Sequence, residues 1–139
     1  MLEVSLGRAL PDDVSRIWVD GSALDPWPEM MAFIKQLKDD HFKVSLLSNT
    51  VKPMSTIVLQ RGLYEGFKPL ILSDVVGLIK PELPIYQRAM DELRLLANEC
   101  VYVDDFPKNL VPAKELGMVT VLASDNPRKT IVLIQQILK

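Results

Sequence analysis

Ten prolines divide the chain, and nine of them, all but Pro112, fall where a periodic segment starts or stops. A fixed φ and a missing donor do least harm there, so the prolines mark element boundaries. Between them lie four short apolar runs rich in β-branched residues: Val44 to Leu47, Leu70 to Leu72, Val101 to Val103 and Val119 to Leu122. Being continuous rather than alternating, they read as buried parallel strands. Segments of helical period surround them. Pro28 to Lys38 sets Met31, Ile34 and Leu37 on one face, and Pro84 to Leu96 does the same with Ile85, Ala89, Leu93 and Leu96. Ser55 to Arg61, Asn109 to Leu116 and Pro127 to Leu138 complete the alternation. It predicts an α/β chain with a doubly wound parallel sheet and a ligand site at the carboxyl ends of the strands.

The 139 residues have room for one domain, and no apolar stretch approaches a bilayer span. Sixteen basic residues against 18 acidic ones, scattered rather than striped, argue against a nucleic-acid partner. Cys100 is the one cysteine and opens an apolar run, so a buried, inert thiol is expected. The opening MLEVSLGRAL lacks the basic and apolar regions of a secretion signal, and a cytoplasmic setting is expected.

Residues 1–25 stand outside the alternation and are expected to form a helical segment ahead of an α/β domain at 26–139. Pro11 with Asp12 and Asp13 is a helix start, Val14, Ile17 and Trp18 form a stripe, and Gly21 is a stop. The alternative is that Val14 to Val19 is a strand.

Polar residues gather after the strands. Ser48, Asn49 and Thr50 precede a helix start, where a hydroxyl and free N–H groups can hold a phosphate, although a simple helix cap explains them as well. Asp104 and Asp105 end the third run, and Asn109 follows on the first helical turn. Such a small set of oxygens with room for water suits Mg²⁺. Lys80, before Pro81, can offset clustered carboxylates and a bound phosphate. His41, beyond Asp39 and Asp40, reads as a solvated side chain.

In order, these residues resemble the haloacid dehalogenase superfamily of hydrolases, chiefly phosphatases. KVSLLSNT resembles its second motif, with Ser48 at the phosphate-binding hydroxyl. GLIKPELPIY resembles the third with Lys80 as its lysine, and VYVDDFPKNLVPAKELGM the fourth with Asp105 as principal metal ligand. A bacterial receiver domain has similar residue types in another order: its acidic pair follows the first strand, whereas here it follows Ser48 and Lys80.

The resemblance implies a Rossmann-like core, Mg²⁺ as cofactor and a small phosphorylated metabolite as substrate. Ser48, Asn49, Thr50 and Lys80 would bind it, Ser48 and Lys80 would serve catalysis, and Asp105, Asp104 and Asn109 would hold the metal. The family's first motif, DxDx(T/V), which supplies the nucleophile, is absent. Its nearest imitation places Asp20 at the second aspartate but Trp18 at the nucleophile, and an indole cannot attack phosphorus.

Residues 1–25 then resemble the tail of a helical cap. The chain is expected to be an inactive, truncated form or a pseudoenzyme used for binding or assembly; dehalogenation at carbon is the lesser alternative. A missing central strand would leave the edges of Val44 to Leu47 and Val101 to Val103 facing a gap. The N-terminal segment, a second copy or a partner chain would have to fill it.

Overall fold

The computed structural model of the chain describes residues 2–4, 27–62 and 64–139. Five helices carry proline in their first two positions, where the absent N–H had no intrahelical partner anyway. They are α1 (Pro28–Asp39), α2 (Lys52–Arg61), α4 (Leu83–Leu93), α5 (Pro107–Leu116) and α6 (Pro127–Leu138). A one-turn helix, α3 (Ser73–Val76), lies between α2 and α4 and was not legible from periodicity. Helices α2, α3 and α5 stop at Gly62, Gly77 and Gly117, all in the left-handed region that glycine adopts without a Cβ penalty.

The strands are β1 (Leu2–Val4), β2 (Val44–Ser48), β3 (Leu70–Leu72), β4 (Val101–Asp104) and β5 (Val119–Leu122). All pairings are parallel and the order is β3-β2-β1-β4-β5, a doubly wound sheet. The expected gap is therefore filled within the chain. Leu2 lies opposite Val44 on one side and Val101 on the other, and Val4 lies opposite Val103.

This corrects the expectation that the whole of residues 1–25 is helical, and of the three ways to fill the slot the N-terminal segment is the one that does so, through Leu2–Val4. An extended three-residue run between two strands gives partners to N–H and C=O groups that would otherwise be orphaned in the core. The helix read from Pro11 to Gly21, with the alternative strand Val14 to Val19, lies outside the described residues.

Period-two alternation sends neighbouring strand residues into two different cores. Val44, Leu46, Val101 and Val103 pack with Met30, Phe33, Ile34 and Leu37 of α1 and Ile134 of α6. Leu47 and Tyr102 face the other way, against Ile85, Tyr86 and Ala89 of α4 and Ala113 of α5. Cys100 is buried there as expected, its thiol donating to Leu96 O at 3.2 Å.

Helix α4 ends earlier than its sequence period suggested. Arg94 turns left-handed (φ 56°) with its N–H on Asp91 and Met90 carbonyls, so Leu96 leaves the buried stripe and is 69% exposed. His41 is exposed, as read from the sequence.

Candidate active site

Parallel strands present their carboxyl ends at one edge, and the polar residues collect there. At its centre is a buried ion pair: Lys80 Nζ lies 2.8 Å from Asp104 Oδ2, with the side chains 3% and 1% exposed. The same ammonium donates to Leu47 O at 3.1 Å, tying it to the end of β2. Asp104 Oδ2 also accepts from Tyr102 OH at 2.7 Å and Asn109 Nδ2 at 3.2 Å, and Oδ1 accepts from Phe106 N–H at 2.9 Å. Four donors thus converge on one carboxylate.

Burial alone would raise the pKa of Asp104. The Lys80 charge and hydrogen bond, the Tyr102 hydroxyl and the Phe106 N–H outweigh it and hold the carboxyl below its ordinary value. A depressed folded-state pKa stabilises the protein fully above the unfolded value, about 3.9 for Asp, and that stability is lost as pH falls through the folded value. The urea midpoint is therefore expected to hold from pH 7 to about 5 and to drop below about 4. A midpoint that stays level down to pH 2 would contradict this account of Asp104.

The loop after β2 is held on both flanks. Asn49 Nδ2 donates to Lys80 O at 3.0 Å while its Oδ1 accepts from Lys80 N–H at 2.9 Å. On the other flank Ser73 Oγ accepts from Thr50 N–H at 2.7 Å and donates to Thr50 O at 3.0 Å. The Thr50 and Ser55 hydroxyls both donate to Asp74. Desolvation works against that carboxylate, yet the two hydroxyls, with its own N–H and the Lys52 charge, keep its pKa below the ordinary value.

Ser48 ends β2, half-buried; Lys80 and Asp104 meet directly; Asp105 follows half-buried at the same edge. Asn109 sits in the first turn of α5, buried, and its Oδ1 has no hydrogen-bond partner. Asn49 and Thr50 are brought to the same loop, but their side chains engage neighbouring protein groups. Tyr102 escaped the sequence reading although it lies two residues before Asp104, hence on the same strand face. Tyr86 escaped it too; its hydroxyl donates to Asn109 O at 2.7 Å, and its ring meets that of Tyr102 edge-on at 5.2 Å. Nothing in the sequence pairs Ser73 and Asp74 with Thr50, since they lie on a different strand connection.

A family model described as haloacid dehalogenase-like hydrolase matches residues 6–117. The chain belongs to that family.

Among relatives of this haloacid dehalogenase-like chain, the rat bifunctional epoxide hydrolase 2 is 49% identical over 63 residues, 45% of this chain and 11% of the relative. The glyceraldehyde 3-phosphate phosphatase of Methanocaldococcus jannaschii is 34% identical over 101 residues, 70% of this chain and 44% of the relative. The chain thus spans less than half the length of either. A family enzyme of Bacteroides thetaiotaomicron, solved in complex with magnesium and inorganic phosphate, superposes with TM-score 0.61 at 25% identity. That match covers 71% of this chain and 52% of the other. Among the described residues no helix is long and apolar enough to cross a membrane.

Proposed function

We propose that this chain carries the phosphate- and Mg²⁺-binding half of a phosphohydrolase centre for small phosphorylated metabolites, and that by itself it binds such anions without hydrolysing them. The observation that carries the reading is the convergence at one sheet edge of the Lys80–Asp104 pair, half-buried Asp105 and the unpartnered Asn109 Oδ1.

Asn109 Oδ1 and the Asp105 carboxylate fit Mg²⁺. Both are hard oxygen donors, and a buried amide oxygen without a partner is a costly arrangement unless something completes it. Asp104, with four donors already on it, holds Lys80 rather than a metal. When bound, Mg²⁺ neutralises phosphoryl oxygens. The Ser48 hydroxyl donates to one of those oxygens, and the Lys80 ammonium balances the charge of carboxylates and phosphate together.

The absence of hydrolysis rests on the sequence around the central strand. Leu2–Val4 is followed by Ser5-Leu6-Gly7-Arg8; the first aspartate is Asp12, and no Asp-x-Asp occurs in the 139 residues. Without a nucleophilic carboxylate the covalent route is missing, and charge stabilisation does not replace it. A phosphate-ester assay with Mg²⁺ is expected to show no turnover above an Asp105→Ala control, while Mg²⁺ shifts the NMR signals of Asp105 and Asn109. A Mg²⁺-dependent rate abolished by Asp105→Ala would overturn the binding-only reading, and unmoved signals would overturn the metal assignment.

A further inference from the structure

The helices that follow β2 and β4 begin on apolar residues, as α1 does at Trp27 and α3 at Leu72. Ser, Thr, Asp or Asn at a cap stabilises a helix start through its side-chain hydrogen bond, and Asn126 at the start of α6 accepts from Arg128 N–H in this way. At α2 the cap is Val51 and at α5 it is Phe106, neither making a side-chain cap. Both keep exposed apolar surface, 55% and 39%, with Lys108 Nζ 4.9 Å from the centroid of the Phe106 ring. Ile79, immediately before Lys80, is 48% exposed, and Leu122, paired in register with Asp104, is 50% exposed. Exposed apolar residues scattered singly carry no message. Val51, Ile79 and Phe106 adjoin Thr50, Lys80 and Asp105 in sequence and Leu122 lies opposite Asp104, on three strand ends and the loop bearing Lys80, so exposed apolar side chains flank a centre built for an anion.

We propose that the phosphate ester recognised here has an apolar body: a phosphate monoester of an aliphatic alcohol. This rests on the reading of the site above and adds its substrate class. The phosphoryl group takes Ser48 and Lys80, whereas the hydrocarbon lies on Val51, Ile79, Phe106 and Leu122. Covering those side chains removes apolar area from water, which the hydrophobic effect rewards in proportion to chain length.

Titration calorimetry of the whole chain with Mg²⁺ tests it, using inorganic phosphate, methyl, butyl and octyl phosphate below micellar concentration. A half-covered methylene predicts affinity rising about twofold per carbon. Inorganic phosphate should compete with octyl phosphate, and octyl glucoside should not bind. Ile79→Asn and Phe106→Ser should each flatten the series, whereas Leu59→Ser, an exposed apolar position on α2, should leave it steep.

Inorganic phosphate that binds while the series stays flat overturns the substrate class and leaves the site reading intact. Octyl glucoside binding as well as octyl phosphate overturns it too, by showing an unspecific patch. Failure of inorganic phosphate to bind overturns the site reading and the substrate class with it.

Discussion

Lys80→Met is expected to destabilise the chain by about 3–5 kcal/mol, because it leaves the Asp104 carboxylate buried without its counter-charge. The remaining donors, Tyr102 OH, Asn109 Nδ2 and Phe106 N–H, are neutral and cannot balance it. The double variant Lys80→Met, Asp104→Leu should recover much of the loss, since replacing a buried pair by apolar groups is often close to neutral. Urea denaturation of the two variants measures both. A single-variant loss under about 1 kcal/mol would mean that water or a proton reaches Asp104, and the buried-pair account would fall.

Phe33→Ala should cost a similar amount, about 3–5 kcal/mol, by a different route. Phe33 is buried between α1 and the sheet, among Met30, Ile34, Leu37, Val44 and Ile134, so truncation leaves a cavity that rigid neighbours cannot close. That core lies across the sheet from the Lys80–Asp104 layer, and no hydrogen bond of the site involves it. Thermal unfolding should therefore shift strongly while the Mg²⁺-induced NMR shifts at Asp105 and Asn109 persist in the folded protein. Their disappearance would show that the two faces of the sheet are coupled.

The elements most legible in the sequence were those with local causes. Leu70 to Leu72, Val119 to Leu122 and Pro127 to Leu138 appear with the bounds read from pattern alone, because β-branched runs and proline starts act within a few residues. Helix α4 was over-extended because Leu96 continues the apolar period. A left-handed turn at Arg94, which no propensity marks, decides where that helix stops. The central strand was missed for a related reason: Leu2–Val4 is too short to carry a period, and only the open slot between β2 and β4 selects it.

For the site, the sequence by itself determined the chemistry: a hydroxyl, an ammonium, two carboxylates and an amide, each placed after a strand and so delivered to one edge by parallel topology. Only the tertiary structure decided how that chemistry is divided. Asp104 and Asp105 are adjacent in sequence and identical in type, yet one is sealed under Lys80, Tyr102, Asn109 and Phe106 N–H while the other stays half-buried at the edge. The same holds for Asn49 and Thr50, whose side chains are claimed by the Lys80 peptide and by Asp74 from other connections. Residue type sets what a group can donate or accept. Which partner it meets depends on contacts between segments far apart in the chain, and local sequence does not encode those distances.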